Sequence, residues 1–245
     1  MTVRYSALLL IGSLALGSCG GDDDGGDITP PTPTAGDISG RVNLYDEGRT
    51  EIDGSGMTVR LEGTSSSATT DGSGAFVLTD VPFGSYTLVY EKAGHGTFKR
   101  FGIEHRDENT FIPENPSLGQ TSTTSITDLT VSSDGTTVTV AATTDPEASL
   151  GNTRYVRYFF STSSDVSGED YEAVLDAIEA QNTPYNLNLT AASFAALGFT
   201  SGETVYVRAY GESFWSNQYD DPDLGRTVFP NLNATSAAAV SAEVP

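Results

Sequence analysis

The sequence predicts an all-β chain made of two small β-sandwich domains, and three observations carry that reading. Apolar and polar residues alternate in short runs such as Thr58-Val59-Arg60-Leu61-Glu62 and Tyr86-Thr87-Leu88-Val89-Tyr90. That is the period of a strand with one packed and one wet face. Turn residues punctuate these runs, as in Asp71-Gly72-Ser73-Gly74 and Ser133-Asp134-Gly135. There glycine accepts positive φ without a Cβ clash, and aspartate bonds the turn backbone. The composition agrees: 245 residues with 26 glycines, 37% hydrophobic and 18% charged, too apolar for a disordered chain and long enough for two domains.

The first 36 residues read as an address and a tether. Arg4 is the only charge before Asp22, and Tyr5 to Leu16 is an apolar run. A bilayer-spanning helix needs about 20 such residues, whereas a signal-peptide core needs fewer. Leu16-Gly17-Ser18-Cys19 resembles the lipobox of bacterial lipoproteins. The resemblance implies that residues 1–18 are a signal peptide and that the Cys19 thiol is acylated. Several acyl chains anchor stably, because each buried methylene contributes roughly 0.8 kcal/mol. Cys19 is the one cysteine, so no intramolecular disulfide can form. The run Gly20-Gly21-Asp22-Asp23-Asp24-Gly25-Gly26-Asp27 is similar to the acidic export signal of lipoproteins of the Bacteroidetes; by composition alone it is a solvated, flexible tether. Thr29-Pro30-Pro31-Thr32-Pro33-Thr34 continues it, through residue 36, as a stiff polyproline II spacer. The expected location is the outer membrane, lipid-anchored and exposed at the cell surface.

The formal net charge is −21, and Lys92 and Lys99 are the only lysines. A surface this acidic repels nucleic acid and anionic headgroups, so both are poor partners. The acidity serves solubility in one reading and divalent cations on carboxylate-rich loops in another. No cofactor is expected.

Residues 37–115 form the first expected domain, with strands near Ile38–Tyr45, Met57–Glu62, Ser67–Thr70, Ala75–Asp80, Tyr86–Glu91, Thr97–Glu104 and Thr110–Ile112. Gly40-Arg41-Val42, Gly56–Gly63, Thr70–Phe76 and the corner Val81-Pro82-Phe83-Gly84 leading into Ser85–Leu88 together resemble the carboxypeptidase regulatory-like domain. The resemblance implies a prealbumin-like sandwich that is not catalytic and serves as a rigid spacer. His95 and His105 are the only histidines, too few for a zinc site without further ligands, and are read as exposed or turn residues.

Residues 116–245 form the second expected domain, entered through a linker from Pro113 to Ser125. Strands are expected at Ile126–Val131, Thr136–Val140, Arg154–Ser161, Tyr185–Leu189, Gly202–Tyr210 and Ala237–Val244. In Arg154–Ser161 both parities carry aromatics, so both faces should be covered. Tyr171, Val174, Leu175 and Ile178 lie at i, i+3, i+4 and i+7, which predicts a helix laid on the sandwich. Thr190 is the expected cap of a shorter helix holding Phe194 and Leu197. The segment Leu197–Tyr210 resembles the late strands of fibronectin type III-like domains, with Val205 at the position of their corner tyrosine. Leu189–Tyr210 is similar to the immunoglobulin-like domain of SusE-type starch-binding lipoproteins. The resemblances imply a fibronectin type III/immunoglobulin-like sandwich with short helical insertions.

A long loop, Gly211–Leu232, holds Trp215, Tyr219, Asp220, Asp221 and Asp223. An exposed tryptophan beside carboxylates could stack on a sugar ring while the acids accept its hydroxyls. Equally, the aromatics could simply pin the loop. Asp220-Asp221-Pro222-Asp223 lacks the spacing, glycine and terminal glutamate of an EF-hand. No Gly-x-Ser-x-Gly, His-Glu-x-x-His or P-loop pattern appears. The sequence therefore leads to a non-catalytic lipoprotein for display, adhesion or assembly, with glycan capture in a SusE-like uptake system as the alternative. Its expected partners are the membrane, through Cys19, and a glycan or a cell-envelope protein.

Overall fold

The computed structural model describes residues 33–245; the expected signal peptide, Cys19 and most of the expected tether lie outside the described residues. The chain is all-β, with one short helix among the described residues.

The first sandwich contains β1 (Ala35–Arg41), β2 (Asn43–Tyr45), β3 (Glu51–Ile52), β4 (Thr58–Leu61), β5 (Ser67–Thr69), β6 (Ala75–Pro82), β7 (Gly84–Glu91), β8 (Phe98–His105), β9 (Thr110–Phe111) and β10 (Ser117–Gly119). One wall is the sheet β5-β4-β7-β8. The other is built on β1 and β2, with β6-β1-β9 before the break at Val42 and β10-β2-β3 after it. Alternating residues fill the space between: Ile38, Leu44, Val59, Leu61, Leu78, Leu88 and Tyr90. The Asp71 turn forms as the sequence requires. Its carboxylate accepts the Ser73 and Ala75 N–H groups at 2.8 and 3.0 Å. The Ser73 hydroxyl and these N–H groups hold the Asp71 pKa below the usual carboxylate range. Gly74 has φ +74, and a Cβ there would collide with the Val42 carbonyl, so the turn requires glycine.

The segment read as a linker is partly strand. β10 pairs in parallel with β2, and the Asn43 N–H donates to the Pro116 carbonyl at 2.9 Å. Leu118 enters the first core. Its serines and prolines suggested a loose connection, but unpaired backbone at a sheet edge gains by pairing.

The second sandwich contains β11 (Ser125–Ser133), β12 (Thr137–Asp145), β13 (Arg154–Ser161), β14 (Ala173–Val174), β15 (Ile178–Ala180), β16 (Tyr185–Thr190), α1 (Ala191–Ala196), β17 (Thr204–Glu212), β18 (Tyr219–Asp221), β19 (Arg226–Val228) and β20 (Val240–Glu243). The sheet β11-β12-β16 faces β14-β13-β17-β20, and β15 also pairs with β13. Asp134 closes the β11–β12 hairpin by accepting the Thr136 and Thr137 N–H groups, both at 2.8 Å. Thr190 caps α1 in a capping box with Ser193, and Phe194 is buried beneath it.

Strands β13 and β17 are packed on both faces, as the double aromatic parity of Arg154–Ser161 anticipates. Val156, Tyr158, Phe160, Val205, Val207 and Ala209 enter the core between the sheets. Val205 is therefore a core residue, and the next tyrosine, Tyr206, packs against the outer cluster. That cluster contains Phe159, Val166, Tyr210 and Phe229, with Phe159 edge-on to Tyr210 and Phe229 at 5.6 and 5.5 Å.

The helix expected over Tyr171–Ile178 does not form. The segment lies along the free edge of β13 as β14 and β15, with the Glu172 and Leu175 N–H groups donating to Phe160 and Tyr158 carbonyls. Its apolar residues serve two cores. Ala173, Leu175 and Ile178 pack inward, whereas Tyr171 and Val174 pack on the outer cluster. A bulged edge strand can present residues to both faces, and its spacing here imitates a helical stripe.

Arg157 organises the outer face. It donates through Nε to Glu212 (3.1 Å), through Nη1 to the Leu175 carbonyl (3.0 Å) and through Nη2 to Gln218 (3.2 Å), and its guanidinium lies 4.3 Å from the Phe229 ring centre. Glu212 is 0% exposed. Burial pushes its pKa up to about 7, against the pull of Arg157. Replacing Arg157 with Ala strands this carboxyl group, so urea denaturation should show a loss of about 3–5 kcal/mol. Glu212→Gln should cost clearly less, because burial already disfavours the charge.

Candidate functional site

The two sandwiches meet along a seam of turns and carboxamides. Asn217 adopts φ +53, a left-handed conformation that asparagine tolerates. Its Oδ1 accepts the Gly119 N–H at 2.7 Å, and its Nδ2 lies 3.0 Å from the Gly96 and Gly119 carbonyls. Asn231 Oδ1 accepts the Gly96 N–H at 2.8 Å and the Asn217 amide at 3.1 Å. Asn231 Nδ2 donates to the Gly119 and Trp215 carbonyls at 3.0 and 2.7 Å. Both asparagines are buried. The backbones approach so closely that a Cβ on Gly96 would run into Pro230, and one on Gly119 into the Trp215 carbonyl. Beside this cluster Arg154 pairs with Glu47 at 3.1 Å, and a polar groove of about 530 Å³ opens between Asp46, Thr50, Asn152 and Tyr155.

Trp215 belongs to this seam, which corrects its reading as an exposed platform. It is half-buried, with Tyr45 of the first sandwich 5.0 Å away at a tilt of 35° and Phe214 edge-on at 5.0 Å. Its Nε1 is buried without a hydrogen-bond partner among the described residues. The loop folds back under the first domain, so its largest aromatic closes the junction instead of facing water.

The other loop residues sit on the β18–β19 hairpin. Tyr219 packs against Phe98 and Phe101. Asp220 accepts the Thr227 hydroxyl at 2.5 Å. Asp221 accepts the Asp223 and Leu224 N–H groups at 3.0 and 3.1 Å and so shapes the turn, while Asp223 is exposed. Asp220 and Asp221 line a cavity with Pro222, Gly225 and Arg226 that includes neither Asp223 nor Trp215. The five residues are thus not brought into one site.

Neither histidine is exposed, a second correction, although His95 does close a turn, its N–H donating to the Lys92 carbonyl at 3.0 Å. His105 is buried, with Nδ1 2.7 Å from the Thr110 hydroxyl and Nε2 3.1 Å from the Val81 carbonyl. His95 is 9% exposed and bridges to Gln120 in the seam. Its ring nitrogens lack a well-formed hydrogen bond. Burial holds its pKa below the usual histidine value, only partly offset by the Ala93 carbonyl, and Lys92 adds to the lowering. Among the described residues no three His, Cys, Asp or Glu side chains are placed to hold a metal ion.

The structure instead presents a cleft of about 610 Å³ between the β18–β19 hairpin, the Ser167–Glu169 loop and residues 228–234. Tyr210, Tyr219 and Phe229 give it aromatic walls, and Glu169 and Arg226 give it charge. Leu224, 56% exposed, stands at its rim. Of these residues only Tyr219 stood out in the sequence. Tyr210 lies in β17 before the long excursion and Phe229 near its far end, and nothing local signals that they converge.

No family model matches the chain, and no curated protein matches it. Among solved structures it is similar to a chain of a mutant type II cohesin–X-dockerin complex from Acetivibrio cellulolyticus, at 24% identity and a TM-score of 0.29, over 35% of this chain and 58% of that one. It thus spans little more than half of that relative. It is also similar to a candidate carbohydrate-binding protein from Bacteroides uniformis (14% identity, TM-score 0.31, over 85% of this chain and 99% of that one). A DUF3823 family protein from Parabacteroides merdae is a third (10% identity, TM-score 0.32, over 85% and 98%). At these values no residue role transfers.

Two outcomes follow from the seam. Asn231→Ala strips partners from buried amides, each worth about 1–3 kcal/mol, so it should lower stability by at least about 2 kcal/mol. The emission of Trp215, the single tryptophan, should report the loosened junction. His95 takes a proton in the unfolded chain near its ordinary pKa of about 6.5 but resists it when folded. His95 therefore subtracts stability as pH drops from about 7.5 to 5.5, so over that range the urea midpoint of His95→Gln should gain on that of the wild type.

Proposed function

We propose that the chain is a non-catalytic surface lipoprotein, held through Cys19, whose two sandwiches act as one rigid module for display, adhesion or assembly at the cell envelope. The observation that carries this reading is the seam. Asn217 and Asn231 bond backbone of the first sandwich from within the second. A module that holds a surface away from a membrane needs such a junction, because a flexible linker would let the distal domain reorient. The lipobox-like Leu16–Cys19 and the proline spacer supply an anchor and a reach that suit the role.

Deletion of the chain should weaken attachment of cells to surfaces or remove envelope partners. Wild type should restore this and Cys19→Ser should not. Unchanged attachment together with an unchanged set of envelope proteins contradicts the proposal.

A second reading, capture of a saccharide, is favoured by one observation. The Tyr210–Tyr219–Phe229 cleft combines aromatic walls with hydrogen-bonding groups at its edges, the usual character of a small-ligand site.

A further inference from the structure

We infer that the cleft beside the β18–β19 hairpin binds a saccharide bearing an isolated carboxylate, with Arg226 as its charge partner. The inference rests on the capture reading and names the ligand for it.

Arg226 carries the argument. The chain holds 33 acidic residues against 12 lysines and arginines, so most cations find a carboxylate. Arg49, Arg60, Lys99, Arg100, Arg106, Arg154 and Arg157 all do so. Arg226 does not, among the described residues. Its one polar contact is a long one, 3.5 Å from Nη1 to the Gly168 carbonyl. A guanidinium carries several donors in a planar fork matched to a carboxylate. Here that fork lines a cleft and is left with its capacity nearly unused.

The rest of the cleft says what should carry the carboxylate. Tyr210 and Tyr219 line it. Aromatic walls that carry phenol groups suit the C–H faces and hydroxyls of a sugar ring. Glu169 adds an acceptor. A peptide added as a strand is disfavoured, because the neighbouring backbone is already engaged. β19 pairs with β18, and the Thr227 carbonyl accepts the Tyr171 hydroxyl at 2.8 Å. Further along, the Asn233 N–H donates to Gly211 and the Asn231 carbonyl accepts from Ser122. The charge of −21 repels densely anionic polymers, so the fitting ligand carries one carboxylate among neutral sugars.

The full chain should be titrated by calorimetry with two saccharides that bear a single uronate, glucuronosyl-xylotriose and cellobiouronic acid, each beside its methyl ester. At least one acid should bind about ten-fold tighter than its ester, a difference of about 1.4 kcal/mol. Arg226→Gln should abolish that preference without shifting the Trp215 emission that reports the folded seam, and Arg226→Lys should retain part of it. Equal binding of acid and ester, or a preference that survives Arg226→Gln, overturns the inference and leaves the capture reading intact. Absence of binding by every saccharide overturns both. Tighter binding of an acetylated peptide ending in leucine, with the same dependence on Arg226, overturns the saccharide assignment.

Discussion

The carboxamides of Asn217 and Asn231 lie 3.1 Å apart in the seam, and the arrangement of the two sandwiches depends on them. Between them they satisfy the N–H and C=O groups of both Gly96 and Gly119, four backbone groups of the first sandwich that are otherwise cut off from water. A buried amide without a partner is costly, so this exchange of bonds fixes the register of one domain on the other. Glycine is required at both contact points, since any side chain would push the backbones apart. The polar seam is then sealed by Trp215 against Tyr45 and by the Ser213 hydroxyl donating to the Gln120 carbonyl.

The same excursion that supplies the asparagines also builds the outer face of the second sandwich. Residues 213–236 leave β17, bond the first domain, fold into the β18–β19 hairpin and return to β20. Phe229 and Gln218 from this stretch meet Arg157, which is tied in turn to Glu212 and the Leu175 carbonyl. Seam, buried ion pair and cleft are therefore parts of one structure. A cleft mounted on such support is pre-organised, so a ligand of the kind proposed would lose less entropy on binding.

Much of the fold was legible from local chemistry. The Asp71 and Asp134 turns, the Thr190 cap and the strand Arg154–Ser161 are each determined by a few neighbouring residues, and each is where the sequence places it. What stayed hidden depends on contacts remote in sequence. The spacing of Tyr171, Val174, Leu175 and Ile178 satisfies a helix as well as a bulged edge strand, and the open edge of β13 decides between them. Asn217 and Asn231 look like ordinary loop asparagines, because their partners lie 98 to 135 residues away. Trp215 and His95 were misplaced for the same reason: an excursion that folds back on another domain buries residues whose local surroundings are polar. Of the cleft, Tyr219 was visible as an aromatic in a loop, whereas Arg226 gains meaning only once its lack of a carboxylate partner is seen in three dimensions.

The most direct measurement is amide hydrogen exchange at Gly96 and Gly119 in the full chain. Both lie outside helices or at the end of a short edge strand, so only the asparagine side chains can protect them. The account predicts that these two N–H groups exchange as slowly as core amides of β13 and β17, in a single cooperative unit. Exchange at the rate of open loops, with the strand amides still protected, would show that the sandwiches separate freely and would contradict it.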